Sequence, residues 1–253
     1  MLQTRVIPVL LIHKNALVKT IKFKTPKYIG DPLNAIKIFN EKEVDELVVL
    51  DIDASKNLNQ PNFEMIKSFA SECFMPVCYG GGITTIDQMK KIFAIGIEKI
   101  SINTSAINNK EIIRKACKIF GSQSIVVTID VKKNIFGNYK LYNHSKKKCQ
   151  NIDPIIYMKE VIELGVGEIL INSVDRDGTQ NGYDIDLLRN FRSACTVPII
   201  ACGGAGCLND LKRAKETANI SAVAAGSLFV YHGKHNAVLI NYPKYDLLEK
   251  LFE

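Results

Sequence analysis

Two similar segments, 122 residues apart, place the strongest constraint on how this chain can fold. Each is an apolar run that follows a proline and ends in glycines, at residues 76–82 and 198–206. Such a run is typical of a buried parallel strand whose carboxyl end leads into a ligand-binding loop. The same offset places Glu46 on Glu168, and each of these glutamates begins another apolar run. The offset therefore predicts a fold built from two similar halves.

Apolar runs of strand length recur along the chain, and segments with the period of an amphipathic helix lie between them. The candidate strands are residues 5–12, 46–51, 76–79, 99–102, 124–130, 168–172, 198–201 and 222–225. Alternation of strand and helix predicts an α/β protein with a parallel sheet, which is either an open doubly wound sheet or a closed barrel. A four-unit block repeated once favours the barrel, because an open sheet gives no reason for two equivalent halves.

We therefore predict a (β/α)8 TIM barrel with an internal two-fold repeat. No Gly/Ser-rich or Pro-rich linker divides the chain, so residues 1–253 are predicted to form a single domain, with half-barrels at about 1–122 and 123–253. Residues 132–153 lack a regular pattern and are predicted to form a long loop after the fifth strand. That loop would lie at the face where barrel enzymes bind their substrates.

The composition favours a cytoplasmic protein that binds small anions. No apolar run approaches the ~20 residues that span a bilayer, and the chain does not open with a signal-peptide layout. The seven cysteines are odd in number and the four histidines lack metal-ligand spacing, so neither disulfides nor a metal centre is expected. The net charge of +7 suits an anionic small molecule. A nucleic-acid site would need a basic stripe or an aromatic platform, which the sequence lacks.

Small residues gather at the predicted carboxyl ends of the strands. They are Gly80, Gly81 and Gly82, Asn103 and Thr104, Asp177, Gly178 and Thr179, Gly203 and Gly204, and Ala225, Gly226 and Ser227. Free backbone N–H groups before a helix, with no side chain in the way, are what a phosphate group needs. The third and fourth strands would form one phosphate site and the seventh and eighth another, for a substrate with a phosphate at each end. Alternatively, each glycine simply makes a tight turn.

Charged residues are predicted at both ends of the barrel. Asp130 ends the fifth strand at the mouth, where a carboxyl group can act as a general acid or base. At the opposite end, four strands begin with Arg5, Glu46, Lys99 and Glu168. Unpaired charges beside an apolar interior are costly, so the two positive and two negative side chains should pair. Such pairs alone would be compatible with a purely structural role.

Several motifs resemble the cyclase (HisF-type) subunit of imidazole glycerol phosphate synthase over nearly the whole chain. They are Asp-Arg-Asp-Gly-Thr at 175–179, Gly-Tyr-Asp at 182–184, Gly-Gly-Ala-Gly at 203–206, Ser-Ile-Asn-Thr at 101–104 and Gly-Ser-Gln at 121–123. The resemblance implies a lyase that needs no cofactor and forms a heterodimer with a glutaminase (HisH-type) subunit. In that family, ammonia from the glutaminase passes through the barrel to a bis-phosphorylated ribulosyl intermediate. The products are imidazole glycerol phosphate and aminoimidazole carboxamide ribotide.

The resemblance also implies roles for individual residues. The family's phosphate-binding positions match Gly82, Asn103, Thr104, Asp177, Gly178, Gly204, Ala225 and Gly226. The ring through which ammonia enters the barrel matches Arg5, Glu46, Lys99 and Glu168. Lys19, on a long first loop, matches a lysine of the family's mobile lid. Catalysis in the family resembles general acid–base work by two aspartates, and Asp130 matches the one that ends the fifth strand.

Two departures from the family pattern bear on function. Leu11 stands where the family has its strand-one aspartate, and leucine cannot carry a proton, although His13 lies two residues further on. Residues 232–243 lengthen the chain after the eighth strand and resemble a paralogous branch linked to surface-sugar pathways. In that branch, ammonia is used to convert an acetamido group into an acetamidino group.

These features lead to three hypotheses. The first is a synthase-like barrel that takes ammonia from a glutaminase for amidination of a surface sugar, with a third, amidotransferase-type protein activating the amide. The alternative is a working imidazole glycerol phosphate cyclase of histidine biosynthesis, which uses Asp130 alone or with His13. The third is a barrel that only binds and activates its glutaminase.

Overall fold

A computed structural model describes residues 4–57 and 59–253. The strands are β1 (Arg5–His13), β2 (Ala16–Ile21), β3 (Lys24–Gly30), β4 (Leu47–Asp51), β5 (Val77–Gly80), β6 (Lys99–Ile102), β7 (Ile125–Lys133), β8 (Tyr139–Asn143), β9 (Lys148–Cys149), β10 (Glu168–Ser173), β11 (Ile199–Cys202), β12 (Ala222–Ala225), β13 (Tyr231–His232) and β14 (Ala237–Val238). The α-helices are α1 (Pro32–Glu41), α2 (Phe63–Glu72), α3 (Ile86–Ile95), α4 (Thr104–Asn108), α5 (Glu111–Phe120), α6 (Pro154–Glu163), α7 (Ile185–Ala194), α8 (Leu208–Ala218) and α9 (Tyr245–Phe252).

Eight parallel strands close into a barrel. In spatial order they are β1, β4, β5, β6, β7, β10, β11 and β12, and pairing of β12 with β1 completes the ring. Helices lie between successive barrel strands, so the predicted (β/α)8 TIM barrel is confirmed. The strand bounds differ from the predicted ones by at most three residues. The largest difference is in β7, which continues to Lys133 rather than ending at residue 130.

Side chains alternate along the barrel strands between two apolar layers, as the two-residue period of a strand requires. Along β1, Val6 and Leu10 belong to the layer that packs on the helices, whereas Ile7 and Val9 belong to a cluster inside the barrel. The other buried members of this interior cluster are Val48, Cys78, Val126, Leu170, Ile200, Ala222 and Ala224. The polar ends of the strands are therefore separated by an apolar layer.

Local sequence signals set where helices begin and end. The Asp31 side chain caps α1 by accepting a hydrogen bond from Asn34 N at 2.9 Å, and Pro32 occupies the first turn. Gly121 follows α5 with a φ of +86°, a region that L side chains rarely adopt. Within the described ranges, no helix is both long enough and apolar enough to cross a membrane.

A β-hairpin over the mouth replaces the long first loop that the sequence predicted. β2 pairs with β1 and β3 in antiparallel fashion, so Lys19 lies on a strand. The connecting turns place Lys14 and Asn15, and then Lys22 and Phe23, at positive φ. Two-residue type I′ turns require this conformation. The prediction that Lys19 lies on a long loop is therefore wrong.

A second hairpin occupies residues 132–153, which were predicted to be an irregular loop. β8 pairs with the end of β7, and β9 pairs with β8, both in antiparallel fashion. Asn134 makes the turn possible, because its Oδ1 accepts hydrogen bonds from Phe136 N at 3.0 Å and Asn138 N at 2.9 Å. Leu141 is fully buried and anchors the hairpin to the barrel. The loop prediction is therefore wrong in conformation, although the segment does lie at the mouth.

Equivalent contacts recur in the two halves of the barrel. Asp53 accepts a hydrogen bond from Lys14 N at 2.9 Å, just after the first barrel strand. Asp175, which lies 122 residues after Asp53, accepts one from Lys133 N at 2.8 Å, at the end of the fifth barrel strand. Both carboxylates secure the chain where it leaves the barrel for a hairpin.

Candidate functional site

A cavity of about 590 Å³ opens at the carboxyl ends of the barrel strands. One wall, from the third and fourth barrel strands, includes Gly80, Gly81, Asn103 and Thr104. Another, from the seventh and eighth, includes Gly203, Gly204, Ala225 and Gly226. These strand pairs lie half a turn apart in a ring of eight, so the two groups face one cavity from opposite sides. The volume is in the range of small-molecule sites.

Two of the glycines matched to phosphate-binding positions, Gly82 and Gly178, contact other parts of the protein. Gly82 lies outside the cavity wall, and its N–H donates to the Ser55 hydroxyl at 3.2 Å. Gly178 lies at the wall beneath the first hairpin, and a Cβ there would come within 2.0 Å of the Thr20 carbonyl oxygen. Its φ of +67° is a second reason for glycine at this position.

Asp177 holds the first hairpin against the mouth. Its carboxylate accepts hydrogen bonds from Thr20 Oγ1 at 3.1 Å and Phe23 N at 3.4 Å, and its carbonyl oxygen accepts one from Lys22 N at 2.9 Å. Burial raises the pKa of Asp177, while the hydrogen bonds to its carboxylate and the nearby Lys19 ammonium oppose that rise. Asp177 therefore connects the hairpin to the wall of the cavity.

Lys19 reaches from β2 into the cavity and is almost completely buried. Its Nζ donates to the Val9 carbonyl oxygen at 2.5 Å, and a Cβ at Gly226 would lie 2.4 Å from the same Nζ. Burial lowers the pKa of Lys19 to about 8, against the opposing effects of Asp177 and Cys202. The amine thus lies beside the eighth barrel strand, where an anionic ligand would meet it.

Asp130 faces the cavity from β7, three residues before that strand ends. Its carboxylate oxygens accept hydrogen bonds from Asn172 Nδ2 at 3.3 Å and Asn103 Nδ2 at 3.0 Å. Burial raises the pKa of Asp130 to about 7, and these hydrogen bonds only partly offset the rise. A carboxyl group with a pKa near neutrality can both give and take a proton at cellular pH. The surroundings of Asp130 are therefore those of a general acid or base.

The two asparagines beside Asp130 leave acceptors open to a ligand. The Oδ1 atoms of Asn103 and Asn172 are buried, and neither accepts a hydrogen bond from the described part of the chain. Buried polar atoms normally have a partner, because an unmade hydrogen bond is costly. A substrate hydroxyl or amine in the cavity would supply the missing donors.

The cavity has an apolar floor made by Leu11, Leu50 and Cys202. All three side chains pack on the cluster inside the barrel. Burial raises the pKa of the Cys202 thiol to about 12, so this group stays uncharged at neutral pH. Leu11, at the position where the resemblance implies an aspartate, thus extends the apolar interior up to the cavity.

At the opposite end of the barrel, the four predicted charged residues form a closed ring. The Arg5 guanidinium donates to the carboxylates of both Glu46 and Glu168. Lys99 Nζ bridges the same two carboxylates, at 2.9 Å from Glu46 and 3.1 Å from Glu168. Burial alone would lower the pKa of each cation, but the two carboxylates outweigh it and raise both pKa values. The predicted pairing of these charges is confirmed.

Sequence reasoning missed several residues that line the cavity. Asp51 ends β4, and its Oδ1 accepts hydrogen bonds from Asp53 N at 2.9 Å and Ala54 N at 3.1 Å. Its place at the carboxyl end of a barrel strand was a signal that could have identified it. Phe23 and His144 come from different hairpins and meet edge to face, with ring centroids 5.4 Å apart. Among residues 4–57 and 59–253, no three His, Cys, Asp or Glu side chains are grouped to hold a metal ion.

Comparison with known proteins gives the family. A family model described as "Histidine biosynthesis protein" matches residues 5–236. The "Putative imidazole glycerol phosphate synthase subunit hisF2" of Pseudomonas aeruginosa is 53% identical over 249 residues, which cover 98% of this chain and 99% of that protein. The "Imidazole glycerol phosphate synthase subunit HisF" of Alkaliphilus metalliredigens is 37% identical over 232 residues, which cover 92% of each chain. The chain therefore belongs to the histidine biosynthesis protein family, among its HisF-type imidazole glycerol phosphate synthase subunits.

Proposed function

We propose that this chain receives ammonia from a HisH-type glutaminase partner and delivers it for amidination of a surface sugar, rather than for imidazole ring closure. The observation that carries the proposal is Leu11 on the cavity floor, where two-aspartate acid–base catalysis would need a carboxyl group. One general acid or base contributes about 10²–10⁴-fold to a reaction rate. Its loss would leave ring closure too slow to serve histidine synthesis.

The interior of the barrel supports a path for uncharged ammonia. Between the charged ring and the cavity lies the apolar cluster, which includes the small side chains of Cys78, Ala222 and Ala224. An apolar interior strongly penalises ions but accepts a small neutral molecule, so it favours ammonia over ammonium. A glutaminase seated on the ring of Arg5 and Lys99 would release ammonia directly below this interior.

The cavity supports a phosphorylated acceptor. Its two glycine-lined walls leave room for a phosphate on either side, and Lys19 adds a cationic amine beside Gly226. A phosphorylated sugar that carries an acetamido group meets these requirements. A third, amidotransferase-type protein would activate the amide before ammonia attacks it.

A working cyclase is the second candidate, and one observation favours it. His13 lies in the cavity two residues beyond Leu11 and is hydrogen-bonded to the Asp53 carboxylate. Together with Asp130, it would supply two groups that can give and take protons in the cavity.

Ring closure by the purified proteins tests the proposal. This chain and its glutaminase are incubated with glutamine and the bis-phosphorylated ribulosyl intermediate, in parallel with the Alkaliphilus HisF subunit and its glutaminase. We expect glutamine hydrolysis with at least about 100-fold less imidazole glycerol phosphate than in the parallel reaction. In a second reaction with an acetamido sugar phosphate and the amidotransferase, mass spectrometry should detect the acetamidino sugar. Ring closure at the rate of the Alkaliphilus subunit would contradict the proposal.

A further inference from the structure

Besides Asp130, the cavity contains a pair of residues arranged for proton transfer. His13 ends the first barrel strand, and Asp53 lies in the turn after the second. We propose that His13, held by Asp53, is the base that takes a proton from ammonia as it adds to its acceptor. The inference rests on the proposed function in one respect, which is that ammonia reaches the cavity.

Strand geometry places the His13 side chain in the cavity. Side chains two residues apart on a strand point the same way, so His13 shares the inner face of β1 with Leu11 and lies about 6–7 Å further toward solvent. Both residues line the cavity. The basic group is thus displaced outward from position 11, which suits an acceptor whose reacting carbon lies nearer the mouth.

Asp53 is fixed in place by contacts that do not involve His13. Its carboxylate accepts a hydrogen bond from Lys14 N at 2.9 Å, and its own backbone N–H donates to Asp51 Oδ1 at 2.9 Å. His13 Nδ1 lies 2.8 Å from the Asp53 carboxylate. An ionised carboxylate can only accept, so Nδ1 carries the proton and the Nε2 of a neutral ring keeps its lone pair. A carboxylate that orients an imidazole in this way is a recurrent part of catalytic sites.

The Nε2 atom of His13 is free to meet a substrate. It makes no hydrogen bond to any residue of the described ranges, and the side chain keeps 26% of its surface exposed. His144 also lines the cavity, but its Nε2 is 3.3 Å from the Ile52 carbonyl oxygen, and burial lowers its pKa. Of these two histidines, His13 is the one that is hydrogen-bonded to a carboxylate, which leaves its Nε2 as the basic nitrogen.

The proposed step balances within the cavity. The lone pair of ammonia forms a C–N bond to a carbonyl-type carbon, and the C–O π pair moves onto the oxygen. The nitrogen then gives one proton to His13 Nε2, and Asp130, in its protonated form, gives one to the oxygen. The same attack by ammonia begins both candidate reactions. At the ketone of the ribulosyl intermediate, the π pair moves onto the oxygen as described. At the acetamido carbon of a sugar activated on its oxygen, the C=N π pair moves onto the acetamido nitrogen, which takes the Asp130 proton, and the activated oxygen then leaves as a C=N bond re-forms. The base is therefore needed in either case.

The tautomer of His13 tests the pair without a substrate. The chain has four histidines, and comparison with the His13→Gln spectrum identifies the imidazole nitrogen signals of His13 in nitrogen-15 NMR. At a pH where the ring is neutral, we expect the proton on Nδ1, and we expect that preference to be lost in Asp53→Ala. A proton that resides mainly on Nε2 in the unmodified chain would overturn the proposal.

Chemical rescue distinguishes a base from a structural contact. In the complex with glutaminase, the product measured is the acetamidino sugar or imidazole glycerol phosphate, whichever the unmodified complex forms. His13→Ala should lower its glutamine-dependent formation by at least about 100-fold, while glutamine hydrolysis persists. Added imidazole should restore product formation, and the control His235→Ala, at an exposed position, should match the unmodified chain. Undiminished product formation by His13→Ala, or a loss that imidazole does not restore, would overturn the inference. Failure of the proposed function looks different, because the unmodified complex then makes the imidazole product instead of the acetamidino sugar.

Discussion

Leu11 and Leu50 are register partners on the adjacent strands β1 and β4, and both side chains pack on the apolar cluster inside the barrel. Together they form part of the floor of the cavity. Neither side chain can exchange a proton, so the acid–base groups of the cavity must come from elsewhere. Asp130 supplies one from β7, and His13 supplies another from a position further out. The lack of a carboxyl group at position 11 is the reason for proposing a use of ammonia other than ring closure.

An aspartate at position 11 should restore ring closure. Leu11→Asp should raise the formation of imidazole glycerol phosphate by at least about 100-fold over the unmodified chain, because it returns a general acid–base group to the first strand. The measurement is the glutamine-dependent assay with the bis-phosphorylated intermediate. Leu50→Asp is the matched control, since it adds a carboxyl group to the same floor from the next strand and should give no gain. Equal rates for Leu11→Asp and the unmodified chain would contradict the role assigned to position 11.

The raised pKa of Asp130 should make stability depend on pH. Its pKa is about 7 in the folded chain against about 3.9 when unfolded, so the folded state binds more protons between these values. The contribution of Asp130 to stability is therefore fully present below about pH 4 and is lost as the pH rises through 7.

Replacement of Asp130 by asparagine removes this dependence. The free energy of unfolding of Asp130→Asn minus that of the unmodified chain should be about 2–3 kcal/mol larger at pH 8 than at pH 5. Urea unfolding at the two pH values measures the difference. A stability difference between the two proteins that is the same at both pH values would show that Asp130 titrates normally.

Gly178 should be far less tolerant of a side chain than a glycine of similar conformation elsewhere. Gly178 and Gly233 have φ values of +67° and +69°, but only at Gly178 would a Cβ meet another group, the Thr20 carbonyl oxygen. Gly233→Ala should cost about 1 kcal/mol for its backbone conformation alone. Gly178→Ala should cost about 1–3 kcal/mol more and should expose residues 16–30 to hydrogen exchange. Equal costs would mean that the hairpin does not pack closely on Gly178.

Removal of Arg5 should destabilise the barrel at its base. Arg5→Met leaves the buried carboxylates of Glu46 and Glu168 with Lys99 as their remaining partner in the ring, and we expect a loss of about 3 kcal/mol in urea unfolding. Adding Glu46→Gln to the same chain should recover part of the loss, because one buried charge is then removed.

An exposed ion pair provides the control for this experiment. Arg114 lies 3.5 Å from Glu111 on the surface of α5, and both side chains are largely exposed. Arg114→Met should change the free energy of unfolding by less than about 0.5 kcal/mol. A loss for Arg5→Met as small as that of Arg114→Met would contradict the structural importance of the ring.

The barrel could be predicted because its signals are local and repeated. Each barrel strand is a short apolar run that is buried on both faces, and Glu46 and Glu168 mark the same place in each half. Asp130 and the predicted strand-end glycines other than Gly82 converge on one cavity because parallel strands end at the same edge. Strand order alone thus predicted which residues meet.

The hairpins and the His13–Asp53 pair could not be predicted in the same way. Lys22 and Phe23 adopt positive φ although both carry a Cβ, and their hydrogen bonds to Asp177 offset the strain. Those bonds join residues more than 150 positions apart, so no local pattern reveals them. The contact of His13 with Asp53 likewise depends on the direction of two side chains at the ends of different strands.

Growth of a histidine auxotroph that lacks its own cyclase tests the central claim most directly. The chain is expressed over a range of levels in medium rich in ammonium, so that the outcome does not depend on docking of the host glutaminase. The Alkaliphilus HisF subunit, which is 37% identical, is the positive control. The account predicts that this chain supports no growth without histidine at any expression level. Growth comparable to that of the control would show that ring closure proceeds despite Leu11 and would contradict the account.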